Sequence, residues 1–308
     1  MIERATILDL AKATMETVMQ NKILAVFDFD NTLFDWVHVW FHCFKAMMDE
    51  VELATDLSIN DLADEIRPVH REHGTSEYAF LLEALPSLQP FLDGQPASKV
   101  FNNAIRAFRS TRKKELKLYP SVADTLLKIK GSGSRIAIYT ESQSFYSFYR
   151  LKRLGLDGVI DRIYTPPDHE IPEGFVANGG RHYSRDFYHL RYTEHRHTPV
   201  NELKPNPDLL SQIITDFGVA KGDAVYVGDS LQKDVAMAKD AGIDYAWAAY
   251  GEAQETEAYE VLKMVTHWTD EDVKREKEIR SRDVAADIVL RSDMSELLNH
   301  YKFAEYQQ

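Results

Sequence analysis

Five apolar residues, Ile23-Leu24-Ala25-Val26-Phe27, run without a break into Asp28-Phe29-Asp30-Asn31-Thr32. A strand with one face in water alternates polar and apolar side chains. An unbroken apolar run of this length instead reads as a strand covered on both faces, as in a parallel sheet with helices on either side. Parallel strands need long crossovers, so the chain has to continue as alternating strands and helices. The run also stops abruptly at two aspartates, which puts charge at the end of the first strand.

The alternation is present, but only after a long detour. From Asp35 to Leu118, 84 residues, the period is helical. Val37, Trp40, Phe41, Phe44, Met48 and Val51 share one face, as do Val100, Phe101, Ala104, Ile105 and Phe108, and no strand pattern interrupts them. After Tyr119-Pro120 a helix over Val122 to Lys130 leads through Gly131-Ser132-Gly133 to a second buried strand, Arg135 to Tyr139, which ends in Thr140-Glu141-Ser142. A helix from Phe145 to Leu154, a strand from Val159 to Tyr164, a helix from Pro207 to Phe217 and a strand from Ala224 to Val227 follow. Tyr245 to Ala248 and Ala286 to Leu290 are further strand candidates. The expectation is an α/β fold: a Rossmann-like three-layer parallel sheet core from residues 1–34 and 119–308, with an insertion at about 165–203. Residues 35–118 form an inserted α-helical cap domain.

Composition narrows the setting. Among 308 residues, 36 Lys and Arg against 49 Asp and Glu give a net charge of −13, which disfavours nucleic acid and anionic membranes as general partners. The single cysteine, Cys43, excludes an internal disulfide framework, and no apolar stretch is long enough to span a bilayer. Met1 to Lys22 carries Glu3, Arg4, Asp9, Lys12 and Glu16 and reads as an amphipathic helix, so a soluble cytoplasmic protein is expected. Thr165 to Leu203 is long for a connection and holds five of the eleven histidines; it reads as an irregular hairpin or flap. Glu271 to Arg282, nine charged residues in twelve, reads as a solvated helix with i,i+4 pairs.

Several acidic and hydroxylic groups fall at strand ends: Asp28 and Asp30, Thr140, and Asp229 with Asp234. In an open α/β sheet the carboxyl ends of the strands share one edge, where ligands bind, so a sequence separation of 200 residues collapses into one site. Clustered carboxylates repel unless a cation neutralises them, and hard oxygen ligands suit Mg2+.

These residues resemble the four motifs of the haloacid dehalogenase (HAD) superfamily, in its phosphatase branch. Phe27-Asp28-Phe29-Asp30-Asn31-Thr32-Leu33 is similar to motif one, Ile138-Tyr139-Thr140 to motif two, Lys204-Pro205-Asn206-Pro207 to motif three, and Gly228-Asp229-Ser230 through Asp234 to motif four. The resemblance covers the core; residues 35–118 match only as a helical cap between motifs one and two. It implies Mg2+-dependent hydrolysis of the phosphate monoester of a small metabolite. Asp28 is then the nucleophile and Asp30 the acid and base. The second aspartate matters, because dehalogenase members lack it and phosphonate-cleaving members carry a small residue there. Thr140 and Lys204 would bind the phosphoryl oxygens, with backbone N–H groups of Phe29, Asp30 and Glu141. The implied metal ligands are the side chains of Asp28 and Asp229 and the backbone carbonyl of Asp30, with Ser230 and Asp234 one layer behind. A phosphotransferase of the sugar-phosphate mutase kind, or a non-catalytic binding protein on the same fold, remain alternatives.

Other features carry competing readings. The stretch Ser98 to Lys117 holds seven cations against Glu115. They read as a solvated face at a helix C-terminus, or, for Arg106, Arg109 and Lys113, as a contact with a second anionic group of the substrate. Asp234 also fits an ordinary first-turn helix acid. His38 and His42 have metal-pair spacing but no visible third ligand, and Cys43 reads as a core residue.

Overall fold

The apolar run that ends at Asp28 forms β2 (Leu24–Phe27), buried at every position. The structure is a computed structural model and describes residues 20–168, 189–200, 202–252, 257–268, 274, 278 and 283–306. Its main sheet adds β3 (Arg135–Tyr139), β4 (Arg162–Thr165), β5 (Glu194–His197), β6 (Ala224–Gly228) and β7 (Asp244–Trp247), in the order β5-β4-β3-β2-β6-β7. Every pairing is parallel.

Successive side chains of a strand point to opposite faces, and the core divides accordingly. Ala25, Phe27, Ile136, Ile138, Val225 and Val227 join one cluster with Val122, Leu126 and Ile129 of α4 (Val122–Gly131). Leu24, Val26, Ala137, Tyr139 and Tyr226 join another with Leu210, Ile213 and Ile214 of α6 (Pro207–Asp216) and Met237, Ala238 and Ala241 of α7 (Ala236–Ala241). These are the three expected layers.

The detour is helical as read: α1 (Trp36–Thr55), α2 (Ile59–His73) and α3 (Asn102–Glu115), with short helical turns between the last two. Asp35 caps α1 by accepting from His38 N at 2.8 Å, and Ser58 with Asp61 makes a capping box on α2. The basic helix read as Ser98 to Lys117 is broken at Phe101, into Ala97–Val100 and α3. Where the chain leaves and re-enters the core, Phe34 and Leu118 form an isolated antiparallel bridge and Tyr119 N donates to Leu33 O at 3.0 Å.

Trp40, Phe44, Met48, Val51, Leu62 and Ile66 bury one another in a second core, and that core also takes Leu262 and Val265 from α8 (Glu257–Val265). The last carbonyls of a helix have no partner within it. Those of α8 are met by α2: Arg67 donates to Met264 O at 2.7 Å and His70 Nδ1 lies 2.6 Å from Val265 O. Just beyond, Arg71 donates to Trp268 O at 3.0 Å. His70 is fully buried, and burial pushes its pKa down to about 4. The unfolded chain therefore binds a proton that the folded one refuses. The stabilisation is complete above about pH 6.5 and is lost as pH falls toward 4, at most about 3 kcal/mol. His70→Gln, which does not titrate there, is expected to show a shallower fall of melting temperature between pH 7 and pH 4.5; an unchanged slope would refute this assignment.

The remaining differences from the sequence reading share one cause. Gln20–Lys22 is a strand, β1, paired in parallel with β8 (Tyr301–Phe303), rather than the end of a helix; residues 1–19 lie outside the described ones. The histidine-rich segment supplies β5 at the sheet edge, with Glu194 to His197 opposite Arg162 to Thr165. His169 and His182 are outside the described residues, whereas His195 packs edge-on to Phe148. Ala286 to Leu290 makes no strand, only a bridge between Trp247 and Val289. In each case pairing with a neighbour, not local periodicity, decides the backbone. Of Glu271 to Arg282 only Lys274 and Glu278 are described, with side chains 4.0 Å apart. Among the described residues no helix is long and apolar enough to cross a membrane.

Candidate active site

Phe27 stands level with Ile138 of β3 and Val227 of β6, so the next residues of three adjacent strands arrive at one edge together. Asp28 continues the ladder through its N–H to Val227 O (2.8 Å), Thr140 through its N–H to Tyr164 O (3.1 Å), and Asp229 follows Gly228. Beyond Asp28 the chain turns sharply. Asn31 adopts φ 60° and its side chain accepts from Trp36 N and Val37 N at 3.0 and 3.2 Å, which starts α1. Asparagine tolerates this left-handed backbone where most residues do not. The turn is held from the other side by Tyr250, whose hydroxyl donates to Thr32 O at 2.8 Å. Gly251 lies so close that any Cβ there would strike Asn31 O.

Lys204, 3% exposed, crosses from the loop before α6 into the carboxylates. Its Nζ lies 2.5 Å from Asp28 Oδ1 and 3.0 Å from Asp234 Oδ1, and above the rings of Tyr139 and Tyr226. Burial alone would lower its pKa, but Asp234 and Asp28 hold it well above the usual lysine value. Its backbone N–H donates to Glu141 Oε1 at 2.8 Å, so the Glu141 side chain anchors the loop that carries Lys204. Asp234 is committed elsewhere too: Tyr226 OH donates to Oδ1 at 2.8 Å and Ser230 N to Oδ2 at 3.1 Å. A Cβ on Gly228 would overlap the Asp234 carboxylate, so this glycine makes the close approach possible.

Asp28, Asp229 and Asp234 each offer a carboxylate oxygen within 4.8 Å of the others. The Thr32 hydroxyl sits between two of them, 3.2 Å from Asp28 Oδ2 and 3.3 Å from Asp229 Oδ1. Burial, with Asp234 and Asp30 nearby, pushes the Asp28 carboxyl up to about 7 despite Lys204; burial and then Asp28 raise Asp229 well above the carboxylate range. Three carboxylates, two buried and one half-buried, facing one ammonium have an excess of negative charge, and their hard oxygens fit a divalent cation. Asp234 accepts from Lys204, Tyr226 and Ser230 N, against two such partners for Asp28 and one for Asp229 among the described contacts, so Asp28 and Asp229 are the better donors.

Asp30 is enclosed separately. Its Oδ2 accepts from Ser142 Oγ at 2.5 Å and lies 3.4 Å from Thr140 Oγ1, while Oδ1 faces Arg150 Nη1 at 3.2 Å. Burial raises its pKa, against the pull of Arg150 and Ser142. Arg150, on α5 (Ser144–Arg153), also reaches Glu77 Oε2 at 2.5 Å, and Glu77 comes from the helical insertion.

The sequence-derived residues Asp28, Asp30, Thr140, Glu141, Lys204, Asp229, Ser230 and Asp234 are thus brought together. Arg106 and Lys113 are exposed on α3 and Arg109 is half-buried there. From that helix it is Arg112 that turns toward the sheet core, its guanidinium 3.9 Å from the Tyr149 ring. Sequence reasoning missed Arg150, Glu77 and Thr32 as contributors. Only Thr32 carried a signal, as part of motif one. The rings of His38 and His42 lie on the surface with centroids 4.2 Å apart and tilted to each other, and His38 faces Glu115 rather than a metal set. Cys43 is buried, which pushes its thiol up to about 12 and leaves it inert at neutral pH.

The chain is similar to several known proteins. The chain is 26% identical to the glyceraldehyde 3-phosphate phosphatase of Methanopyrus kandleri, over 69% of this chain and 76% of that protein. It is 22% identical to the enzyme of that name from Pyrococcus furiosus, over 70% and 82%. The solved 2-haloacid dehalogenase of Pseudomonas syringae pv. Tomato aligns with a TM-score of 0.46 and 18% identity, covering 80% of this chain and all of that one. Residues 203–288 match a HAD-hydrolase-like family. Residues 24–242, which hold every strand-end carboxylate described above and Lys204, match the haloacid dehalogenase-like hydrolase family, to which this chain belongs.

Proposed function

We propose that the protein is a Mg2+-dependent phosphatase that hydrolyses the phosphate monoester of a small metabolite in the cytoplasm, through a phosphoryl group carried on Asp28. The observation that carries this reading is the convergence of Asp28, Asp30, Thr140 and Asp229 on one sheet edge, with Lys204 bonded to Asp28. In this reading residues 1–34 and 119–308 are the catalytic core. Residues 35–118 are a cap that closes over the substrate, and Glu257–Val265 packs with that cap.

Asp28 Oδ attacks phosphorus while the ester P–O bond breaks, and Asp30 gives the leaving oxygen its proton. Water then gives a proton to Asp30 and its hydroxyl to phosphorus, and the bond to Asp28 breaks. Thr140 and Lys204 face the charge that spreads over the equatorial oxygens, and backbone N–H groups of Phe29, Asp30 and Glu141 complete the cradle. Asp234 and Tyr226 keep the Lys204 ammonium in place. Asp28, Asp229 and the Asp30 carbonyl would hold Mg2+, which would supply positive charge to the phosphoryl oxygens. The substrate is small and singly phosphorylated, as in the relatives named for glyceraldehyde 3-phosphate.

The test is phosphate release from a panel of phosphorylated metabolites, glyceraldehyde 3-phosphate among them, with Mg2+, with a chelator, and with Asp28→Asn as the blank. Turnover should fall more than about a hundredfold on chelation and return with Mg2+. Release by the blank equal to wild type would overturn the reading, and accumulation of a bisphosphate would replace it with phosphotransfer.

A further inference from the structure

Arg150 is a charged side chain only 5% exposed, and its two terminal nitrogens point to different parts of the molecule. Nη1 lies 3.2 Å from Asp30 Oδ1 and 3.0 Å from Ser142 Oγ; Nη2 lies 2.5 Å from Glu77 Oε2. Glu77 belongs to the loop between α2 and the helical turn Leu81–Ala84. That loop is held firmly by the cap and by α5. Trp36 Nε1 donates to Glu77 Oε2 at 3.1 Å, Trp40 Nε1 to Ser76 O at 2.9 Å, and the Tyr146 hydroxyl to the Glu77 carbonyl. The guanidinium plane is flanked by Phe34 and Tyr146. A guanidinium is a rigid fork, so fixing one side of it fixes the direction of the other.

We propose that Arg150 is a positioning residue which, held by Glu77 of the cap, sets the orientation of the Asp30 carboxyl toward the leaving oxygen. The inference deepens the phosphatase reading and rests on it. Ser142 and Thr140 approach one Asp30 oxygen and Arg150 the other, so the carboxyl plane is set from both sides. A cap displaced from the core takes Glu77 with it and frees the fork. The acid is then aligned only when the cap is docked.

The test separates the acid from the rest of the chemistry by leaving group. An alkyl phosphate needs a proton on its departing oxygen, whereas 4-nitrophenyl phosphate releases a stable phenolate and does not. kcat/KM is compared for the best alkyl phosphate of the panel and for 4-nitrophenyl phosphate, since it reports the first half-reaction for both. Arg150→Lys should lower the alkyl value at least about thirtyfold and the aryl value at most about threefold. Glu77→Gln should move the same ratio in the same direction. The double variant should lose less than the product of the two single effects, because both act through one contact chain. Equal losses on both substrates would overturn the positioning role. A Glu77→Gln ratio equal to wild type would overturn its link to the cap. If circular dichroism shows Arg150→Lys unfolded, Glu77→Gln decides alone. Wild-type protein inactive on both substrates would instead reject the phosphatase reading on which the inference rests.

Discussion

Replacing Asp28 with Asn is expected to remove at least about a thousandfold of kcat on every phosphate ester while leaving the fold intact. The two groups are nearly the same size, and the amide remains a neighbour for Lys204 and Thr32, which lie 2.5 and 3.2 Å from the carboxylate oxygens. What is lost is the oxygen proposed as the nucleophile and one negative charge in a cluster with charge to spare. Burial and like charges already raise the Asp28 carboxyl to about 7, so the substitution should not destabilise the protein and should slightly raise its melting temperature. Acid-quenched wild type, caught during turnover, should carry a phosphoryl group on the peptide that contains Asp28. Its appearance on any other residue would reassign the nucleophile.

Lys204→Met should have the opposite profile, losing activity and fold together. Its ammonium is the one cation bonded to both Asp28 and Asp234 among the described contacts, and it is sealed between Tyr139 and Tyr226. Removing one member of a buried charged set leaves the others uncompensated, at a cost of about 3–5 kcal/mol. A denaturant titration with and without Asp234→Asn separates the two roles. The second substitution removes a stranded charge and should recover a large part of the stability, but none of the activity. Recovery of turnover in the double variant would show that Lys204 serves only to neutralise Asp234.

The strand-end residues were legible in the sequence because their signal is local. An apolar run that stops at Asp28, another that stops at Thr140, and Gly228-Asp229 each announce a strand and its carboxyl end within a few residues. The parallel fold then brings them to one edge. Arg150 and Glu77 had no such signal: an arginine in an amphipathic helix is ordinarily solvated, and its partner lies 73 residues away. The same holds for β5, where Glu194-His195-Arg196-His197 has no apolar alternation and is a strand because β4 offers it a ladder. Lys22 is another case, read as the polar end of a helix yet fully buried, with its ammonium on Asp244 and on the Gly222 carbonyl at 2.5 Å. Long-range charge pairing is what local pattern does not encode.

The engagement of α8 with α2 has a consequence for anyone who would transplant substrate preference between relatives. Residues 35–118 look like a cassette that enters and leaves through neighbouring points, where Phe34 and Leu118 bridge. They are not self-sufficient. Cut out alone, they would bare the surface that Leu262 and Val265 cover and leave Arg67, His70 and Arg71 without the carbonyls they bind. A chimaera that exchanges only this cassette would pair the helices of one protein with the α8 of another. The exchangeable unit is a two-piece module, and residues 257–268 have to travel with it.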